Sequence, residues 1–246
     1  MRTQDYDDTF FAVYDDTFLE LLGSQPSIET VIEQDWPFAH EAGVYDPSQD
    51  VVFITSNSCR PDGATEKTII ISKVSRRFDG TWSLEKVPTD IPMGNGAINY
   101  DSQILFCAQG TKSEPGGLVL MESRPPYKTE TLVDGFHGRL FNSVNDVVVH
   151  TDGSIWFTDP IYGFEQGFRK EPQLPCQVYR FEPDTGAIRV VADGFGRPNG
   201  ISFSPDEQTV YITDTDWIHG DGSMDLTRAS TMYVKVSLAL ILAAKK

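Results

Sequence analysis

The chain has 246 residues, 39% of them hydrophobic, which is enough to enclose a sizeable core. Its 20 Lys and Arg stand against 36 Asp and Glu, a net charge of −16. That surface repels phosphate backbones and anionic lipid, so nucleic acid and membrane are excluded as partners in this reading.

Residues 1–8 are acidic and polar, where a secretory signal carries a basic start and an apolar run. Residues 18–22 are too short to cross a bilayer. No targeting segment is read, which leaves the compartment open with the cytoplasm as default. Residues 1–26 are taken as an N-terminal extension, and 29–33 are expected to form a leading strand.

A repeat then begins. From Glu41, Ala42-Gly43-Val44-Tyr45 leads through Asp46-Pro47 into Val51-Val52-Phe53-Ile54. The same sequence of polar leader, short β-rich run, turn and apolar run returns from Asn95, Asn145 and Asn199, at steps of 54, 50 and 54 residues. The clearest copy spans 143–159, with Val147-Val148-Val149 and Ile155-Trp156-Phe157 around an Asp152-Gly153 turn. Two more strands are expected after each hairpin: 68–74 and 81–87, then 117–121 and 128–133, then 177–181 and 187–191. Only 231–234 follows the fourth hairpin.

Strands repeating at this period are propeller blades. The expectation is an all-β fold, a β-propeller with about four blades over 27–236, the last lacking one strand. First strands should start at Ala42, Gly96, Val144 and Asn199 and lie innermost. Since a ring needs about four to eight blades, the pattern reads as a propeller cut short at its C-terminus. Residues 237–246 form an atypical apolar tail that matches no blade strand and is too short to span a membrane.

Antiparallel pairing puts the end of each second strand at the same edge as the start of the first. The long loops 57–67, 109–116, 159–176 and 214–229 should therefore share a face with Glu41, Asn95, Asn145 and Asn199. A carboxylate at 41 and amides at 145 and 199 converging there would be hard oxygen ligands, suited to Ca²⁺, Mg²⁺ or Mn²⁺. The plainer reading is that each Asn caps the turn before its strand. His40 is equally a channel residue or one packed under the ring. Asp159 and Asp214 read as turn caps, and His137 and His219 as solvated loop residues. The aromatic loop 162–169, which begins with Tyr162, is long enough to fold over the mouth and shape a substrate pocket. Cys59, Cys107 and Cys176 share no metal or redox spacing. No Gly-x-Ser-x-Gly elbow marks a covalent nucleophile.

Asn142-Ser143-Val144-Asn145-Asp146-Val147, Asp152-Gly153-Ser154-Ile155-Trp156-Phe157-Thr158-Asp159-Pro160 and Arg197-Pro198-Asn199-Gly200-Ile201 together resemble the senescence-marker-protein/gluconolactonase family. That family includes regucalcin, and the fungal lactonohydrolases resemble the chain most. The resemblance covers residues 11–234. It implies a six-bladed propeller holding one divalent cation, Ca²⁺ first with Mg²⁺, Mn²⁺ or Zn²⁺ as alternatives, and hydrolysing sugar lactones or related esters.

Carried over by motif, Glu41 matches the first-blade glutamate ligand, although the family more often has Glu-Gly-Pro where this chain has Glu41-Ala42-Gly43. Asn145 matches an asparagine on or near metal and substrate, and Asn199 an asparagine ligand. The resemblance also implies an aspartate acid/base in a Pro-Asp-Gly-like motif. It would fall at about position 250 by the repeat, beyond Lys246, so the catalytic residue is left unassigned and low activity is expected. Two other readings stay open: a non-catalytic propeller that binds a partner on its upper face, and a metal-free strictosidine-synthase-like propeller.

Overall fold

Side chains along a strand point alternately to its two faces. In residues Gln103–Ala108, Ile104 and Phe106 enter one core while Leu105 and Cys107 enter the next. That is the signature of a sheet sandwiched between two others. In a computed structural model that describes residues 11–61 and 63–236, the chain divides into two compact units, one ending at Asp35 and the other beginning at Trp36. The first contains a single short helix, α1 (Thr17–Leu22), which buries no residue.

The second unit is a β-propeller of four blades. Blade 1 is β1 (Glu41–Asp46), β2 (Val51–Thr55), β3 (Ile71–Arg76) and β4 (Trp82–Lys86). Blade 2 is β5 (Gly94–Tyr100), β6 (Gln103–Ala108), β7 (Gly117–Glu122) and β8 (Thr129–Val133), followed by a small hairpin of β9 (Gly135–Phe136) and β10 (Arg139–Leu140). Blade 3 is β11 (Val147–Val149), β12 (Ile155–Asp159), β13 (Gln177–Glu182) and β14 (Ala187–Ala192), with α2 (Tyr162–Glu165) between β12 and β13. Blade 4 has three described strands, β15 (Pro198–Phe203), β16 (Thr209–Asp214) and β17 (Thr231–Val236). Every pairing within a blade is antiparallel and between neighbours in sequence. The first strands contact one another in succession, β1 with β5, β5 with β11 and β11 with β15, so they form the inner wall.

Three hydrophobic cores fill the spaces between blades. Val44, Phe53, Ile71, Phe106 and Met121 pack between blades 1 and 2. Leu105, Leu118, Phe141, Phe157 and Tyr179 pack between blades 2 and 3, and Trp156, Val178, Ile201 and Val210 between blades 3 and 4. The second core is built on aromatics: the Phe157 and Tyr179 rings stack at 5.4 Å and Phe141 meets both edge-on. Such pairs contribute about 0.5–1.5 kcal/mol each beyond area burial.

Two expectations are corrected. Residues 29–33 form no strand, because an extended segment becomes one only with a ladder partner and none pairs with it among the described residues. The third first strand begins at Val147 instead of near Val144, since a bulge at Asn145 and Asp146 interrupts the ladder. The hairpin β9–β10 had no counterpart in the repeat pattern. The apolar tail 237–246 lies outside the described residues. Among those described, no helix is long and apolar enough to cross a membrane.

Candidate functional site

Each inner strand carries a bulge near its start. Ladder registers place two residues opposite one at 42–43, 95–96 and 199–200, and in blade 3 both Asn145 N–H and Asp146 C=O bond Thr158. A bulge adds twist and re-aims the side chain it carries. Asn95, Asn145 and Asn199 all occupy the first bulge position. The residue at that position in blade 1 is Ala42, with φ of 56°, so Glu41 enters the site one residue ahead of the asparagines.

Blades 3 and 4 fix their bulges by the same device, a Thr-Asp pair ending the second strand. The Thr158 hydroxyl accepts from Asp146 N–H at 3.1 Å and the Thr213 hydroxyl from Gly200 N–H at 2.8 Å. The aspartate that follows clamps the loop entering the first strand. Asp159 accepts from Asn142 and Ser143 N–H at 2.9 and 2.8 Å, and Asp214 from Gly196 and Arg197 N–H at 3.0 and 2.7 Å. These are caps, but of the approach to the inner strand rather than of their own turn. Burial pushes the Asp159 carboxyl up to about 7, against the two N–H donors and the nearby Arg169 charge.

Bonds between blades lock the asparagine backbones together. Thr55 donates to Asn95 C=O at 3.1 Å, Gly96 N–H to Asn145 C=O at 2.9 Å, and the Thr158 hydroxyl to Asn199 C=O at 2.7 Å. The Asp146 carboxylate, turned into the structure, accepts from Ile201 N–H of the next blade at 2.9 Å.

The result is one cavity of about 240 Å³ whose wall includes Glu41, Asn145, Asn199 and Tyr162, the four residues singled out from sequence. All four long loops contribute to it, through Asn57, Gln109, Tyr162 and Thr215 among others, so they do share one face. Among the described residues Glu41 is the single carboxylate on this wall. Burial raises its pKa, His40 opposes the rise, and the Asp146 charge adds to it.

Asn95 and Asn145 each hold a buried side-chain oxygen, Oδ1, with no hydrogen-bond partner. Ser72 Oγ and Asn142 Oδ1, away from this wall, are unpaired in the same way. Asn199 Nδ2 donates to the Tyr162 phenol at 3.3 Å, and that phenol also bonds the Thr215 hydroxyl. Burial raises the Tyr162 pKa, so the phenol stays protonated at neutral pH.

Tyr162 is held by its own loop. The Ser143 hydroxyl accepts from Gly163 N–H at 3.0 Å and donates to Pro160 C=O at 2.8 Å. Glu165 at the end of α2 pairs with Arg197 and accepts from Gly220 N–H at 2.6 Å, drawing the fourth loop against the third. His219, half-buried, also lies on the cavity wall. His137 is an exposed loop residue, as expected, with its ring edge-on to the neighbouring Phe136 at 4.3 Å between centroids. Sequence reasoning placed Asn95 on this face but left it out of the candidate ligands, and it read His219 as solvated. Asn95 carried the signal in its repeat position, whereas His219 sits beside Gly220, whose partner Glu165 is 55 residues away.

The donor set fits a hard divalent cation: one carboxylate and the Asn145 and Asn199 amides line the same cavity. Among the described residues no three His, Cys, Asp or Glu side chains cluster as they would around a transition metal.

Known proteins share both pattern and fold. The chain is 45% identical over 89 residues to a lactonohydrolase, oryL, of Aspergillus oryzae, covering 36% of this chain and 20% of that protein. It is 30% identical over 152 residues to the gluconolactonase of Zymomonas mobilis, covering 57% and 40%. A solved gluconolactonase structure from Xanthomonas campestris superposes with a TM-score of 0.57 at 26% identity, covering 82% of this chain and 60% of that one. The chain thus spans less than half the length of either curated relative. The family model described as the SMP-30/gluconolactonase/LRE-like region matches residues 60–217, and the chain belongs to that family.

Proposed function

We propose that this chain binds lactones, or related cyclic esters, in the cavity at the mouth of the propeller and hydrolyses them there with a divalent cation, Ca²⁺ by preference. Glu41, Asn145 and Asn199 would hold the cation, and Asn145 and Tyr162 would contact substrate. What carries this reading is the meeting of one carboxylate, Glu41, and two amides, Asn145 and Asn199, on the wall of a single cavity at the mouth. Mg²⁺ and Mn²⁺ share the preference for oxygen ligands, whereas Zn²⁺ is a poorer fit to a site of one carboxylate and amides.

A cation bound there supplies Lewis-acid polarisation of the lactone carbonyl and charge for the developing oxyanion. The chain's own groups do the positioning. The protonated Tyr162 phenol lies beside the Asn199 amide, where it can donate to a carbonyl or ring oxygen of the substrate. In the overall reaction water adds to the carbonyl carbon, the ring C–O bond breaks, and the departing alkoxide takes a proton to give a hydroxy acid.

Thermal unfolding with and without Ca²⁺ tests the cation, since a ligand bound only by the folded state raises Tm. Ca²⁺ should stabilise the chain, and Glu41→Gln should abolish most of the shift while leaving the metal-free Tm nearly unchanged. No shift in the parent would favour a metal-free propeller, and equal shifts in both would place the cation away from Glu41. Hydrolysis of an aldonolactone, followed by acid release, tests the reaction.

A further inference from the structure

A second cavity of about 220 Å³ lies beside the mouth, between the first, second and third long loops. Its wall carries Arg60, Lys67 and Lys112, with hydroxyls from Thr111 and Ser113. Three cations around one small cavity stand out in a chain with only 20 Lys and Arg against 36 acids. Glu66 is the single acidic residue among the described lining. Among the described residues the side chains of Arg60 and Lys112 make no ion pair or hydrogen bond. Lys67 is anchored, its ammonium donating to Gln166 C=O at 3.1 Å. Gln166 also lines the mouth cavity, so the two spaces share a wall.

We infer that this cavity is an anion subsite, and that it receives a phosphate or carboxylate group carried by the substrate whose ring sits in the mouth. The inference rests on the lactone-hydrolase reading for the substrate, but not for the anion. Guanidinium and ammonium groups with neighbouring hydroxyls are the usual donors to such oxygens. The net charge of −16 repels anions from the surface as a whole, whereas the three cations gathered here attract them.

The test uses the full chain and the double variant Arg60→Ala/Lys112→Ala, which leaves the Lys67 anchor and the mouth cavity intact. At constant ionic strength, inorganic phosphate should raise the Tm of the parent chain more than chloride does, and the double variant should lose that difference. Absence of a phosphate-specific shift in the parent, or an equal shift in the variant, overturns the subsite. Kinetics then identify the source of the anion. For a lactone bearing a phosphate ester the double variant should raise KM about tenfold, roughly what the loss of two charge-assisted contacts at a partly exposed site produces. The uncharged parent lactone should keep its KM. If phosphate binding is lost in the variant while both KM values hold, the cavity is an anion site that takes free anions, and its assignment to a substrate arm is overturned. If neither lactone is turned over yet the phosphate shift stands, the hydrolase reading fails and the anion site survives.

Discussion

The Thr158 hydroxyl donates to the backbone carbonyl of Asn199 at 2.7 Å, joining the end of one blade's second strand to the bulge of the next blade. Thr158 is fully buried, and the same hydroxyl accepts from Asp146 N–H. Valine matches its shape without its hydrogen bonds. Thr158→Val should therefore destabilise the chain by about 1–3 kcal/mol, the cost of stranding buried polar groups. Thr158→Ser should retain most of that stability. Urea unfolding of the two variants provides the comparison.

Gly96 and Gly43 occupy the same bulge position in blades 2 and 1, yet their surroundings differ. A Cβ at Gly96 would lie 2.6 Å from Asn145 C=O and 2.8 Å from the Asp146 carboxylate, whereas one at Gly43 meets nothing within 4 Å. Gly96→Ala must push the third inner strand outward, at about 1–3 kcal/mol, and displace Asn145. Gly43→Ala should be close to neutral. The Ca²⁺-dependent rise in Tm should vanish in the first variant and persist in the second, because only the first moves a candidate ligand.

Asp159 predicts an acid-side dependence of stability opposite to the usual one. Its folded pKa of about 7 lies above the ordinary aspartate value of 3.8, so between those values the folded state holds a proton that the unfolded state has released. Stability from this group is complete below the unfolded pKa and is lost as pH rises through the folded one, at up to about 1.4 kcal/mol per pH unit. Asp159→Asn lacks the titration. The stability gap between parent and variant should therefore shrink as pH is raised from 4 to 7, measured by urea unfolding at several pH values. A gap that widens over that range would mean the carboxylate is ionised throughout in the fold.

The blades were legible because their signal is local. Hairpins such as 147–149 with 155–159 alternate around turns, and period alone counted the blades. The convergence of Glu41, Asn145 and Asn199 followed from antiparallel geometry. What stayed hidden depended on register or on distant contacts. The repeat aligned Glu41 with the asparagines, but a bulge shifts pairing by one residue without changing composition, and Ala42 proved the true equivalent. The Thr-Asp device at 158–159 and 213–214 reads as turn capping until the folded chain shows which loop each aspartate holds. His219 lies on the wall beside Gly220, which a bond to the distant Glu165 holds.

Tyr162 sets the orientation of a candidate ligand. Asn199 has two ends, an amide nitrogen and a carbonyl oxygen, and only the oxygen can hold a cation. The nitrogen is committed to the Tyr162 phenol at 3.3 Å, which leaves the oxygen as the free end. The phenol is in turn fixed by the Thr215 hydroxyl. Tyr162→Phe keeps the ring and removes the phenol, so the amide loses its reason to prefer one orientation. Because the tyrosine sits on a cavity wall rather than in a core, the metal-free Tm should fall by no more than the loss of one or two hydrogen bonds, about 1 kcal/mol each. Ca²⁺ affinity should fall by about three- to tenfold, the range expected when an amide must be reoriented before it can bind. Thr215→Val should produce a smaller effect in the same direction, since it loosens the phenol without removing it. Calcium titration of the three proteins by calorimetry ranks them, and a Tyr162→Phe variant that binds Ca²⁺ as tightly as the parent would remove Asn199 orientation from the account of the site.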